Sequence, residues 1–370
     1  MPGTITPATD FNVEKDCQEL RTAMKGLGTN EAKIINVLGN RSRDQRLEIV
    51  VKFKTMFGKD LIAELKSELS ANFLRLCKCM LLSIPQFLAK ELKRAMKGSG
   101  TDERALVEIL VGLDNKGIVA VKRAYKSTFE ADLEREIVSE TSGDFKRLAL
   151  SLLQGHRDES ETVDKELAKE DAMDLFNAGV NRFGTDESNP PFPVGVFRNT
   201  LLTRRYEETF NSILCSRSYR HLKMVFAEYK LKYKRELTKD MLNLLEWRKN
   251  AEIEKKTKTY DGNSAGGRVA GEDIEKSIRS EMSGELELGF ISIVKRIKNT
   301  PTYFAEELYK SMKGLGTDDD QLVRILVWRS EIDLVEIKGA FESLYGKSLK
   351  EYIREDTSGD FRSLLLTIVK

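Results

Sequence analysis

Apolar residues recur along this chain at the spacing of helices that bury one face. After Thr101 the apolar positions are i, i+1, i+4 and i+5, which form a single stripe on an α-helix. These positions are Ala105, Leu106, Ile109 and Leu110. Proline accounts for only 7 of 370 residues, which suits a chain made of long helices because proline interrupts them. The pattern predicts an all-α fold.

One short motif occurs four times along the chain. It reads Met-Lys-Gly-x-Gly-Thr and ends on an acidic residue at 24–31, 96–103 and 312–319, and a weaker copy stands at 179–187. Self-similarity of this kind is typical of repeat proteins, in which each unit packs on its neighbours. We predict four repeats of about five short helices each. The threonine of each copy is predicted to cap the next helix: Thr29, Thr101, Thr185 and Thr317.

A second motif, an acid followed two positions later by serine, accompanies each copy of the first. The acid stands 40 positions after the second glycine in three copies (28 to 68, 100 to 140 and 316 to 356). In the remaining copy the interval from 184 to 281 is 97, so that repeat carries 97 − 40 = 57 extra residues. The constant interval predicts that the two motifs meet in the folded chain. The serines are predicted N-caps: Ser70, Ser142, Ser283 and Ser358.

The motifs divide the chain into segments. We predict a solvated N-terminal tail at 1–11, repeats at 12–83, 84–155, 169–299 and 300–370, and a polar connector at 156–168. The extra residues of the third repeat are predicted as two insertions. The first, near 188–208, holds three prolines, and the second, near 232–272, begins as a charged amphipathic helix and becomes rich in Gly and Ser.

The motif pair predicts a calcium site. Two glycines let the backbone turn tightly and point carbonyl oxygens outward together. Ca²⁺ takes such carbonyl oxygens together with carboxylates, and the distant acid would complete the site beside the loop. Glycines that merely end helices, with the acid as a surface charge, are the alternative interpretation. Four occurrences favour the site, and its single carboxylate predicts weak binding until a lipid phosphate adds oxygen ligands.

The residues between and beside the motif glycines predict contact with a membrane. Lysines there would meet anionic headgroups, each contributing about 1 kcal/mol. Apolar loop tips would enter the interface, although for the two leucines a packing role is equally open. The predicted membrane contacts are Lys25, Leu27, Lys97, Ser99, Phe183, Lys313 and Leu315. No apolar run approaches 18 residues, so the contact would be peripheral.

Composition excludes several classes of function. The net charge of +2 argues against a nucleic-acid-binding protein. The chain has two histidines and lacks a phosphate loop, a nucleophile–base pair and a dinucleotide fingerprint, so we expect no enzyme. Four cysteines without a framework are typical of reduced thiols. With no apolar signal region at 1–10, we expect a cytoplasmic protein that is peripheral on membranes. Exposure at an outer surface is left open.

The repeated motifs resemble those of the annexin family, over roughly residues 12 to 370 apart from the insertions. The resemblance implies four five-helix repeats in a slightly curved disc, with calcium loops on its convex face that bind acidic phospholipid. It also implies the ligands. Three sets combine carbonyls and one carboxylate: Met24, Gly26 and Gly28 with Glu68; Met96, Gly98 and Gly100 with Glu140; Met312, Gly314 and Gly316 with Asp356. In the third repeat the set is Gly179, Arg182 and Gly184 with Glu281.

The implied function is calcium-dependent binding to acidic phospholipid membranes in membrane organisation, repair or vesicle traffic. The insertions depart from the family's usual pattern and suggest a divergent, invertebrate-type member. They also leave an alternative open, in which the chain is a scaffold that binds a protein partner or a second copy of itself through them.

Overall fold

The computed structural model describes residues 2–26, 28–98, 100–179, 201–232, 273–314 and 316–370, with the backbone alone for 179, 201–206, 280 and 281. Within these ranges the regular structure is helical and contains no strand, which confirms the all-α prediction. Each predicted insertion lies mostly outside the described residues: the first over 188–200 and the second over 233–272. The same is true of several predicted site residues: Leu27, Ser99, Arg182, Phe183, Gly184 and Leu315.

Each repeat contributes five helices to the described part of the chain. The first repeat contains α1 (Val13–Ala23), α2 (Glu31–Gly39), α3 (Arg43–Phe57), α4 (Leu61–Glu68) and α5 (Ala71–Met80). The second contains α6 (Ile84–Ala95), α7 (Glu103–Gly112), α8 (Asn115–Phe129), α9 (Leu133–Glu140) and α10 (Gly143–Leu153). The third contains α11 (Lys165–Gly179), α12 (Leu201–Ser216), α13 (described over 219–232), α14 (Ile274–Glu281) and α15 (Gly284–Lys298). The fourth contains α16 (Thr300–Met312), α17 (Asp319–Arg329), α18 (Leu334–Tyr345), α19 (Leu349–Asp356) and α20 (Gly359–Ile368).

The helices form two compact units. The first unit comprises Met1–Ala105, Val119–Leu133 and Asn299–Lys370, and the second comprises Leu106–Ile118 and Glu134–Lys298. In the first unit α2, α5, α17 and α20 pack on one another through fully buried leucine and isoleucine side chains. In the second, α10, α12 and α15 form a similar core. Gly289 permits this approach, since a Cβ atom there would lie 2.2 Å from Leu148 Cδ2.

Arg-Ser pairs at 41–42, 217–218 and 329–330 join the second helix of a repeat to the third. Arg41 makes two hydrogen bonds with the carboxylate of Asp16, at 2.6 and 3.0 Å. Ser42 caps α3 in a capping box with Gln45. The third repeat repeats the arrangement, because Arg217 makes the same two bonds with Asp171.

The second and fourth repeats change this junction. In the second repeat Asp114 replaces the capping serine and accepts a hydrogen bond from the backbone of Gly117 at 2.7 Å. In the fourth repeat the guanidinium of Arg329 pairs with Asp333 and lies 4.6 Å from the ring centroid of Phe304. The junction between the second and third helices is therefore stabilised by different side chains in different repeats.

The N-terminal segment is docked on the first unit. The backbone N–H of Thr4 donates to Ser330 O at 2.7 Å, and its hydroxyl donates to Ile368 O at 2.5 Å. Ile5 is only 3% exposed, and Ala8 exchanges two hydrogen bonds with the side chain of Gln45. The prediction of a solvated tail is wrong for these residues, because the segment buries both an apolar side chain and its backbone polar groups.

Candidate calcium-binding loops

The loop between the first two helices of a repeat is closed by one backbone hydrogen bond. In the first repeat Asn30 N–H donates to Ala23 O at 2.9 Å. The second repeat has the same bond from Asp102 to Ala95 at 2.8 Å. In the fourth repeat Asp318 donates to Ser311 at 2.7 Å. One hydrogen bond thus brings together the ends of each loop, and the motif glycines lie between them.

The motif glycines adopt backbone conformations that other residues avoid. The φ angles of Gly26 and Gly28 are 120° and 88°, and the corresponding glycines of the second and fourth repeats also lie between 87° and 127°. This is the region in which a Cβ atom is strained. Among the described residues no backbone N–H donates to the carbonyls of Met24, Gly26 or Gly28. Both glycines are exposed, so their carbonyl oxygens are available to a hard cation.

The distant acid lies beside the loop in the first and fourth repeats. The hydroxyl of Thr29 donates to Glu68 Oε2 at 2.9 Å. The hydroxyl of Thr317 donates to the carboxylate of Asp356 and, at 2.9 Å, to its backbone carbonyl. The 40-residue interval therefore does bring the two motifs together in these repeats. The threonine forms the direct link, a role that its position after the glycine could have suggested.

The same bonds correct the prediction that these threonines cap the following helix. The N-cap of α2 is Asn30, whose side chain accepts from Lys33 N. Asp318 has the same role in α17, and the carboxylate of Asp102 accepts from Ala105 N at the start of α7. Thr185 lies outside the described residues. In the first, second and fourth repeats the cap therefore falls one residue after the threonine.

In the loop between the fourth and fifth helices, the predicted serine stands directly before the fifth helix. Ser70, Ser142 and Ser358 stand at the N-cap positions of α5, α10 and α20, but their side chains form no capping hydrogen bond. The residue after each serine has a left-handed φ between 49° and 61°. That residue is glycine in the second and fourth repeats and Ala71 in the first. The loop shape is thus set by the backbone after the serine.

The second and third predicted sites cannot be assembled as the first and fourth can. In the second, Met96, Gly98 and Gly100 form a loop of the same shape in the first unit, while Glu140 ends α9 in the second unit. In the third, Gly179 ends α11, and only the backbone of Glu281 is described. Arg182, Phe183 and Gly184 lie outside the described residues. The ligand roles at these sites stay predictions.

The loop lysines are exposed, as membrane contacts would have to be. Lys25 and Lys97 extend from the first two loops, and Lys313 has a neighbour that sequence reasoning missed. Its Nζ lies 5.3 Å from the ring centroid of Tyr309, which stacks on Tyr345 at 3.8 Å. Burial raises the pKa of Tyr345 to about 12.

A signal for this aromatic neighbour was present in the sequence. Tyr309 stands three positions before the motif methionine, where the first two repeats have Arg21 and Lys93. Those cations lie over Phe57 and Phe129 at 5.8 and 5.9 Å. In the fourth repeat an aromatic stack thus replaces the cation that lies over an aromatic ring in the first two repeats.

The donor set of the loops suits a calcium ion. It consists of oxygen atoms alone, with one carboxylate and several carbonyls in the first and fourth repeats. In the described part of the chain no group of three or more His, Cys, Asp or Glu side chains could hold a metal. The donor set of the loops matches Ca²⁺, which takes six to eight oxygens, and leaves positions for oxygens from outside the protein.

None of the described helices is both long and apolar enough to cross a lipid bilayer.

Comparison with known proteins identifies the family. The family model named Annexin matches residues 15–80, 87–152, 204–243 and 303–368, which confirms four repeats. Annexin A11 of Oryctolagus cuniculus is 44% identical over 366 residues, which are 99% of this chain and 61% of that protein. The chain therefore spans about three fifths of that relative.

Solved structures agree with this match. Annexin III has a TM-score of 0.81 and 36% identity over 100% of this chain and 97% of its own. Calcium-bound annexin (Sm)1 has a TM-score of 0.74 and 30% identity over 99% of this chain and 93% of its own. On its sequence motifs, loop geometry and these matches, this chain belongs to the annexin family.

Proposed function

We propose that this protein binds acidic phospholipid membranes in a calcium-dependent manner through the loops of its first and fourth repeats, with the second and third repeats contributing equivalent loops. The carbonyls of Met24, Gly26 and Gly28 with Glu68, and those of Met312, Gly314 and Gly316 with Asp356, hold the ion. Bound Ca²⁺ would supply the bridge between these protein oxygens and a lipid phosphate. Contact with the membrane is peripheral.

The observation that carries the proposal is the hydrogen bond from the loop threonine to the acid in two repeats. It brings the carboxylates of Glu68 and Asp356 beside exposed glycine carbonyls although 40 residues separate them along the chain. Annexins are known in general for calcium-dependent phospholipid binding, and one of the similar structures is that of a calcium-bound annexin. The exposed Lys25 and Lys313 add attraction to anionic headgroups.

Cosedimentation with phosphatidylserine vesicles across calcium concentrations tests the proposal. We expect the wild-type protein to pellet with calcium and to be released by a chelator. The double variant Glu68→Gln/Asp356→Asn should need about tenfold or more calcium for half-maximal pelleting, since each change removes the charged ligand of a loop.

Glu355→Gln is the matched control, because Glu355 is an exposed acid next to Asp356 that pairs with Lys347 and lies outside the ligand set. It should pellet like the wild type. Pelleting that is independent of calcium, or absent at millimolar calcium, would rule out the proposed function. A double variant with the wild-type calcium dependence would shift the site to the other two repeats.

A further inference from the structure

A cavity of about 340 Å³ lies within the second compact unit, remote in sequence from the loops of the first and fourth repeats. Part of its lining is apolar and includes Leu110, Leu113, Ile118, Leu152, Ile293 and Ile297. The rest is polar and includes the segment that connects α10 to α11. A volume of this size, with apolar walls and a few polar groups, is typical of a site for a small organic ligand.

Arg157 is a polar group of this lining that several contacts hold in place. Its backbone N–H donates to Asn115 Oδ1 at 3.1 Å, and Asn115 Nδ2 donates to its carbonyl at 2.8 Å. The guanidinium donates through Nη1 to Arg217 O at 2.8 Å and lies 4.8 Å from the ring centroid of Tyr219. Backbone, ring and carbonyl together hold the charged group in place.

No carboxylate pairs with Arg157 within the described part of the chain. Arg157 is half-buried, and burial lowers the pKa of its guanidinium. Within the described ranges the guanidinium donates one hydrogen bond, to Arg217 O, so its other N–H groups are available to a ligand. A fixed guanidinium with spare donors binds carboxylates and phosphates in preference to neutral groups.

The other charged side chains of the lining have partners. Arg220 pairs with Glu161 at 3.5 Å. Arg296 donates to the hydroxyl of Tyr219 and to Gly112 O. Asp114 accepts from Gly117 N, as described for the helix junction.

The acids next to Arg157 in the connecting segment are also engaged. Asp158 accepts from the backbone and the hydroxyl of Ser160, which lowers the pKa of its carboxyl group. Glu159 accepts from Asn115 N at 3.4 Å. The thiol of Cys215 adds no charge, because burial raises its pKa to about 12.

We propose that this cavity binds a small amphipathic carboxylate, whose apolar body packs on the leucine and isoleucine side chains while its carboxylate pairs with Arg157. The apolar lining requires an apolar body. The wall acids Asp158 and Glu159 favour a ligand with one negative charge over a doubly charged phosphate. The site is independent of calcium.

Isothermal titration calorimetry with 4-phenylbutyrate, in the presence of a chelator, tests this proposal. The neutral amide of the same shape, 4-phenylbutyramide, serves as the matched ligand. We expect the acid to bind with a dissociation constant in the low-millimolar range or tighter. The amide should bind about tenfold or more weakly, since it cannot form the charged pair.

Three variants locate the site. Arg157→Gln should weaken binding of the acid about tenfold or more and leave the amide unchanged. Leu152→Phe, which reduces the apolar space, should weaken both ligands. Arg279→Gln removes an arginine that pairs with Glu287 outside the cavity and should change neither. Circular dichroism and thermal unfolding show whether each variant is folded.

The proposal is overturned if the acid and the amide bind the wild type equally, or if neither binds at about 10 mM. It is also overturned if folded Arg157→Gln binds the acid like the wild type. Should that variant fail to fold, Arg157→Lys keeps the charge and loses the fork, and an intermediate affinity for the acid is expected. The comparison of the acid with the amide uses the wild-type protein alone, so it tests the proposal even if no variant folds.

Discussion

At the scale of single residues, the buried ion pair of the first repeat needs a charge at each of two positions. Asp16, which is 1% exposed, pairs with Arg41 in the first repeat. The corresponding positions of the second repeat are Leu88 and Leu113, so both charges are absent there. A buried ion pair is often no more stabilising than apolar residues of similar volume, whereas a single unpaired buried charge is costly.

This argument predicts that removing one charge destabilises the protein more than removing both. Arg41→Leu leaves the carboxylate of Asp16 buried and unpaired, and should lower the free energy of unfolding by about 3 kcal/mol. Asp16→Leu/Arg41→Leu should be clearly more stable than Arg41→Leu because neither charge remains. Urea denaturation measures both. Lys52→Ala, which breaks a pair with the exposed Glu14, should cost less than about 1 kcal/mol. Equal loss in the single and double variants would show that the pair itself stabilises the fold.

The threonine of the calcium loop is a second residue whose role can be isolated. Thr29→Val/Thr317→Val keeps the shape of both side chains and removes the hydroxyls that hold Glu68 and Asp356. We expect half-maximal vesicle binding to require up to about tenfold more calcium, because partners of a ligand orient it. Thr29→Ser/Thr317→Ser keeps the hydroxyls and should restore the wild-type dependence. If the serine variant resembles the valine variant, the hydroxyl has no such role.

At the scale of helices, the loop before the last helix of a repeat contains a residue with a left-handed backbone, a conformation that favours glycine. In the first repeat this residue is alanine. The residue after the serine is Gly143 in the second repeat and Gly359 in the fourth, with φ angles of 58° and 61°. The first repeat has Ala71 at φ 49°. An L-residue in this conformation costs about 1 kcal/mol relative to glycine.

Ala71→Gly should therefore stabilise the protein by about 0.5–1 kcal/mol, although it removes a side chain. The matched control is Ala63→Gly at an exposed position inside α4. It should destabilise by a similar amount, since glycine disfavours a helix interior. Thermal or urea unfolding distinguishes the two. Destabilisation by both changes would mean that Ala71 is not strained.

At the scale of the whole molecule, features that recur along the sequence were predictable and single contacts were not. The apolar stripe predicted an all-α fold, and the glycine motif with its distant acid predicted four repeats and the approach of Glu68 to its loop. The docking of Thr4 on Ile368 was missed, because it joins positions 364 residues apart and has no counterpart in other repeats. The stack of Tyr309 on Tyr345 was missed although the sequence has a tyrosine where the first two repeats have a cation, because the residue that it stacks on is 36 positions away.

The docked N-terminal segment should contribute to the stability of the first unit. Thr4→Val removes a buried hydroxyl and leaves Ile368 O without that donor, so we expect a loss of about 1–2 kcal/mol in urea denaturation. Thr6→Val, at an exposed position in the same segment, should change stability by less than about 0.5 kcal/mol. Equal effects of the two substitutions would show that the segment is not held in solution.

The paired positions of the buried ion pairs also restrict how such a chain can diverge after duplication. The first helix carries Asp16 in one repeat and Phe304 in another, while the arginine lies at the end of the second helix. Transfer of one helix between repeats would separate a charge from its partner, whereas transfer of a whole repeat keeps the two together. As far as these ion pairs are concerned, recombination that exchanges intact repeats should therefore cost less stability than recombination within one.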